Sequence, residues 1–270
     1  MELFEIFGYL SALLIGFTLG LIGGGGSILA VPVLAYLFSV NEKVATAYSL
    51  FIVGASALLG GVKQYLKGYV DLKTAIVFGT PAIIGVTLVR YYVVPAIPDV
   101  IFTSNEFEFT RRMAMFGLFA LLMIPAAFSM LKKRVDKEQK ADETLRYNYP
   151  LILLEGLLVG AVTGIIGAGG GFLIIPALVI LANIDMKVAV GTSLIIIAFK
   201  SLLGFFLGDA MTMEIDWEFL AVFTSITFIG VFLGSYTSNF VDGGKLKKGF
   251  GYFIFSMAIF IFYMEFFIKL

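Results

Sequence analysis

The sequence contains no cysteine and no histidine. Those two absences remove disulfide frameworks, thiolate metal sites, Cys and His nucleophile systems and the usual imidazole proton shuttle. Enzymatic chemistry is therefore disfavoured, and neither a metal nor another cofactor is expected. Charge is scarce as well: 14% of residues are charged, against about 25% in a soluble globular domain. Basic and acidic residues balance at 19 each, so no global field points to nucleic acid. The one basic stretch, Lys132 to Arg146, is interleaved with Asp136, Glu138, Asp142 and Glu143 and reads as a solvated loop beside a membrane. No Lys or Arg precedes the first apolar stretch in Met1-Glu2-Leu3-Phe4-Glu5. A signal peptide's positive n-region is thus missing, and the first segment is expected to be retained. No G-x-x-x-x-G-K-[ST] run occurs, which argues against ATP-driven pumping within this chain.

What is present is apolar: 60% of the 270 residues are hydrophobic. A span needs roughly 20 apolar residues to cross about 30 Å of hydrocarbon, and such runs recur along almost the whole chain. The expectation is a single membrane domain, all-α and polytopic, in the plasma membrane. The first stretch, about Ile6 to Val40, is too long for one ordinary span and is broken by Gly23-Gly24-Gly25-Gly26. Two short helices joined at glycine fit it better. Spans are expected at about Ala45 to Val62, Thr74 to Val94 and Met113 to Leu131, with a polar stretch from Ile97 to Arg112. After the charged loop a second interrupted stretch, Leu151 to Ile184, contains Gly167-Ala168-Gly169-Gly170-Gly171. Spans follow at about Val188 to Leu207, Trp217 to Phe240 and Phe250 to Ile268. The resulting plan is a first repeat over 1–131, a cytoplasmic loop over 132–149 and a second repeat over 150–270.

The repeat is explicit in the residues. Slid by 144 positions, Leu21 to Gly60 faces Ile165 to Gly204 without a gap, and 17 of 40 positions are identical. Pro32 meets Pro176, Val44-Ala45 meets Val188-Ala189, and Ser49-Leu50 meets Ser193-Leu194. One extra residue then brings Asp71 onto Asp216 and Gly85 onto Gly230. Internal duplication of this kind is common among secondary transporters.

Loop charge bears on how the copies are oriented, because cytoplasmic loops carry the Lys and Arg excess. Lys63, Lys67 and Lys73 follow the second segment of copy one, whereas the matching stretch of copy two holds Asp209, Glu214 and Asp216. In the next loop the contrast reverses: Asp99, Glu106 and Glu108 offset Arg111 and Arg112, while Lys245, Lys247 and Lys248 dominate in copy two. An inverted arrangement with a cytoplasmic central loop puts 13 basic residues inside and 5 outside, the latter being Lys43, Arg90, Arg111, Arg112 and Lys269. A parallel one gives 10 against 8. Inverted repeats are expected, each a glycine-broken helical hairpin that enters and leaves on one side, followed by three transmembrane helices.

Non-helical backbone at membrane depth is tolerated only inside protein or along a watery cavity, since each unsatisfied polar group in hydrocarbon costs several kcal/mol. A half-helix starting just after each break, near Ser27 and Gly171, turns free N–H groups and roughly half a positive charge toward its tip. That end favours an anion. The plainer alternative is glycine serving close helix packing, as in small-xxx-small motifs.

The glycine run through Pro32, Gly167 through Pro176, and Ala189-Val190-Gly191-Thr192-Ser193 together resemble the TauE/SafE family of sulfite-exporter-like permeases. The resemblance covers both halves, about residues 10 to 268. It implies a polytopic plasma-membrane protein that moves small sulfur-containing or related organic anions. The chain departs from the family's usual pattern at Ala47-Tyr48-Ser49, where Tyr48 replaces the Thr of a Thr-Ser pair.

The candidate substrate-binding residues are Gly23, Gly24, Gly25, Gly26 and Ser27 at the first break, and Gly167, Gly169, Gly170 and Gly171 at the second. Ser49, Thr192 and Ser193 join them, because their hydroxyls lie just inside the helix after each hairpin; the alternative for each is a bond to its own helix carbonyl. Lys200 falls within a span, where a central charge costs about 2.5 to 3.5 kcal/mol, or else snorkels toward Asp209. Glu155 is a candidate coupling carboxylate, or an interfacial one. Abundant phenylalanine reads as lipid-facing and core bulk. The function expected is secondary transport of a small anion such as sulfite, thiosulfate or an organosulfonate, bound at opposed half-helix N-termini. The rivals are an anion channel and a non-transporting accessory subunit. Partners expected are the anion, lipid, a proton or sodium as coupling ion, and further copies of the chain.

Overall fold

The protein is described by a computed structural model over residues 3–104, 107–132, 149–180 and 184–268. The charged central loop, 133–148, lies outside the described residues. Copy one consists of α1 (Leu3–Ile22), α2 (Gly25–Pro32), α3 (Glu42–Leu66), α4 (Leu72–Leu88), the one-turn α5 (Val94–Ala96) and α6 (Arg111–Leu131). Copy two consists of α7 (Tyr149–Ile166), α8 (Gly171–Ile180), α9 (Met186–Leu207), α10 (Trp217–Thr237) and α11 (Gly243–Tyr263). Six helices among the described residues are long and apolar enough to cross a membrane: α3, α4 with its extension to Ala96, α6, α9, α10 and α11.

Where the sequence suggests only a polar stretch, a small hairpin of β1 (Val100–Ser104) and β2 (Phe107–Thr110) joins α5 to α6. β2 alternates aromatic with polar residues, and β1 opens on the β-branched and aromatic run Val100-Ile101-Phe102, short strand patterns beside the charges of Asp99 and Glu108. At this end Arg111 binds Glu42 at 2.5 Å and Asp99 at 2.5 Å, and Arg112 binds Glu265 at 3.1 Å. These two arginines thus tie α6 to α3 and to the end of α11 rather than standing as free loop charges.

Both copies use the same local devices. Asp71 caps α4 by accepting from the Thr74 N–H, and Asp216 caps α10 by accepting from the Phe219 N–H, satisfying one of the free donors that every helix start carries. The backbone N–H of Asp71 donates to Thr192 Oγ1 at 2.9 Å, and that of Asp216 donates to Tyr48 Oη at 2.8 Å. Tyr48 and Thr192 are repeat equivalents, so the residue that breaks the family pattern performs its partner's task with a phenol.

Packing follows the duplication. α1 lies on α10 and α7 on α4; α3 meets α9 and α6 meets α11. At Gly16, Gly20, Gly230 and Gly234 in the first pair, and at Gly85, Gly156 and Gly160 in the second, a Cβ would strike the facing backbone. Small residues let these helices touch main chain to main chain, the packing role open to glycine in lipid. Along these contacts α1 and α10 run parallel, as do α7 and α4: Gly16 faces Thr227 and Gly20 faces Val231, while Gly156 faces Phe78 and Gly160 faces Ala82. α3 and α9 run antiparallel, with Gly54 against Leu202 and Gly61 against Ile195.

Candidate functional site

Each copy breaks its helix on glycines that take the left-handed region: Gly23 at φ +81° in copy one; Gly167, Gly169 and Gly170 at +72°, +62° and +77° in copy two. Only glycine adopts this backbone cheaply. In copy one α2 folds back along α1, so that Gly26 packs on Leu19 and the backbone carbonyl of Ile15 while the Phe38 ring covers Gly8. This is a hairpin. Gly26 is thereby explained by packing and Gly23 by the turn. Pro32 ends α2 and leads into a π-helical turn, Val33–Leu37. In copy two α8 leans instead on α6 and α9.

The two tips meet. A Cβ on Gly24 would fall on the Gly171 backbone, and one on Gly171 would fall on the Gly24 Cα. Gly169 sits against Ser27 and the middles of α3 and α9, at Val53 and Ile197. The outer shoulders match by symmetry: Gly23 lies against Val190, Gly167 against Thr46, and those neighbours are repeat equivalents. A shallow cleft lies where α3 ends and α9 begins, lined by Leu21, Gln64, Lys187, Val190 and Asn239. Val190 connects it to the first tip.

The structure divides the expected hydroxyls. Ser27 Oγ donates to the Gly24 carbonyl at 2.7 Å and braces the turn. Ser193 Oγ donates to the Val190 carbonyl at 2.8 Å, the local bond that competes with any ligand, although Gly23 lies beside it. Thr192 is occupied by the Asp71 N–H. Ser49 Oγ is buried without a hydrogen-bond partner. Glu155 is half-buried on α7, twelve residues before Gly167 and so about 18 Å away along the helix. It is not brought to the tips.

Lys200 does not snorkel. Its side chain is fully buried and Nζ donates to Thr163 Oγ1 at 2.6 Å; a Cβ at Gly170 would sit 2.8 Å from that nitrogen. Asp209, its expected loop partner, is itself buried and paired with Arg90 at 3.1 Å. Arg90 in turn is not a loop charge: it is 0% exposed. A π-helical turn, Val89–Val93, follows α4, and this widened geometry recurs at functional sites. Arg90 points inward from it while Tyr91 and Tyr92 face out. Arg90 Nη1 donates to Asp209 Oδ1 and to Thr46 Oγ1 at 3.2 Å. The sequence signal was available, since Arg90 lies inside the expected span Thr74 to Val94 and the rule that singles out Lys200, a charge within a span, applies to it equally.

The family model described as sulfite exporter TauE/SafE matches residues 9–261. A probable membrane transporter protein of Xylella fastidiosa (strain 9a5c) is 30% identical over 252 residues, covering 92% of this chain and 91% of that one. The probable membrane transporter protein YunE of Bacillus subtilis (strain 168) is 28% identical over 249 residues, covering 82% and 84%. No solved structure matches significantly.

Proposed function

The chain belongs to the sulfite exporter TauE/SafE family and is a multi-pass membrane transporter; from that premise we propose that it is a secondary transporter holding a small sulfur-containing anion between its two glycine tips. The observation that carries this reading is the backbone contact of Gly24 with Gly171 beside the buried Lys200. Half-helices α2 and α8 both start at this contact, and their first N–H groups and positive dipole ends favour negative charge. Sulfite, thiosulfate and organosulfonates are the anions the family points to. A direct tip contact closes the path and so favours a carrier over an open pore.

Alternating access fits repeats of opposite orientation. Two features support inversion: the loop charges, and the antiparallel α3 and α9, which exchange under the duplication. A two-fold that reverses these helices lies across them rather than along them. With the central loop cytoplasmic, the cleft beside Lys187 faces the cytoplasm and the Arg111 and Arg112 ion pairs seal the opposite end. Because the chain has no native cysteine, Gly68→Cys and Glu214→Cys can be labelled one at a time from each side. Glu214 is exposed, unlike Asp209. Labelling from opposite sides is expected; labelling from the same side contradicts inversion.

The functional test is uptake in proteoliposomes of sulfite, thiosulfate and methanesulfonate, with and without proton or sodium gradients. Saturable uptake with mutual competition is expected. Flux rising linearly without saturation would establish a channel, and no flux of any of these anions would leave an accessory subunit as the reading.

A further inference from the structure

The tips are not chemically equivalent. Lys200 corresponds to Ser56 in copy one, and Ser56 is engaged with Thr227 at 2.7 Å; Arg90 corresponds to Ser235. Both buried cations therefore stand at the second tip. Lys200 reaches Gly170, and Arg90 reaches Gly167, where a Cβ would lie 2.5 Å from Nη2. These glycines bound one four-residue turn, 167–170.

Charge in this region does not balance. Asp209 is the one carboxylate bound to Arg90, and among the described residues no carboxylate lies within ion-pair distance of Lys200. Two buried cations thus share one anion. Burying a charge is costly unless it is paired and hydrogen-bonded. Nor is the guanidinium satisfied: it grips Asp209 through Nη1 alone, while Arg90 Nε and Nη2 and Asp209 Oδ2 are buried without partners. A carboxylate paired only for stability is commonly held by both prongs of the fork. Here the second prong faces the glycine turn.

We infer that Arg90 and Lys200 form a two-cation site at the second glycine tip that binds one oxyanion per chain, with the Arg90 Nη2 edge and the Lys200 ammonium each taking a different oxygen. This inference rests on the proposed anion-transport function and deepens it. The ligand class is an anion with two or more oxygens on one centre, such as a sulfonate or a sulfur oxyanion. A spherical halide of equal charge cannot engage the two prongs in the same way. Arg90 comes from copy one and Lys200 from copy two, so the bound anion joins the repeats. Because the tips touch, admitting it requires Gly24 to move off Gly171.

The test is calorimetric titration of the full-length chain in nanodiscs with methanesulfonate, and separately with bromide. Wild type is expected to bind one methanesulfonate and to prefer it over bromide. Lys200→Gln and the charge-balanced double substitution Arg90→Gln/Asp209→Asn are each expected to weaken methanesulfonate about 10- to 100-fold, the loss of one charged hydrogen-bonding partner. Asp209→Asn alone separates binding from scaffolding. If Arg90 binds the anion, this variant binds methanesulfonate more tightly than wild type and shows a correspondingly larger methanesulfonate-induced rise in Tm, because the anion then neutralises an otherwise unpaired cation. Wild-type affinity in both Lys200→Gln and the double variant overturns the two-cation site while leaving the transport reading intact, as does an Asp209→Asn variant whose Tm the anion does not raise. Wild type that binds neither methanesulfonate nor sulfite nor thiosulfate overturns the transport reading itself.

Discussion

Placing a side chain at the tip contact is expected to stop transport: Gly171→Val, and separately Gly24→Val, should lower the initial rate of saturable uptake at least about 100-fold. Each new Cβ would fall inside the facing backbone. Main chain cannot yield as a flexible side chain can, and overpacking typically costs about 1–3 kcal/mol even where side chains absorb it. Every 1.4 kcal/mol is a factor of about ten. The tips must therefore separate, which displaces the half-helix starts from one another and from the cations at Gly167 and Gly170. Gly79→Ala is the matched control, since its Cβ would meet only the Ile196 side chain, at 3.8 Å and beyond; its rate should stay within about two-fold of wild type. Equal reconstituted amounts and an unchanged gel-filtration profile would show that the loss lies in transport rather than insertion.

The second large effect concerns stability. Arg90→Gln leaves Asp209 buried with no cation, and removing one member of a buried pair costs about 3–5 kcal/mol. Unfolding of the reconstituted protein should shift by that amount. Adding Asp209→Asn should recover much of the loss, so the double variant is less destabilised than the two single losses summed. A cycle that is simply additive would mean that Arg90 and Asp209 do not act as a pair despite their 3.1 Å separation.

These effects fall unevenly across what the residues announce beforehand. The duplication is legible because it survives as identity, and the breaks because four adjacent glycines in an apolar run have few other uses. The hairpin in copy one and the tip contact follow from the same residues. Loop charge is a weaker guide, because residue type does not say which charges stand in loops. Arg90 counts as an outside charge only until the π-turn after α4 carries it inward, and Asp209 counts as a loop acid only until Arg90 is seen beside it. Neither pairing is local: the partners are 119 residues apart. Thr192 illustrates the opposite case. Its hydroxyl looks free for a ligand along the sequence, yet it accepts the Asp71 N–H, and Tyr48 repeats that bond at the other repeat. The β1 and β2 hairpin is hidden by its own charges, Asp99 and Glu108, which make a strand segment look like a loop.

The proposed transport requires the two tips to move apart to pass the anion, and a reversible tether measures that directly. A Cβ on Gly169 would lie 3.2 Å from the Ser27 Cβ, close to the roughly 3.5–4.5 Å of a disulfide, with Val53 giving way and the left-handed backbone at Gly169 costing about 1–2 kcal/mol. In a chain with no other cysteine, Ser27→Cys/Gly169→Cys should take up the anion under reducing conditions, lose uptake when the disulfide is formed, and regain it on reduction. Undiminished uptake with the disulfide formed in every molecule would contradict the account.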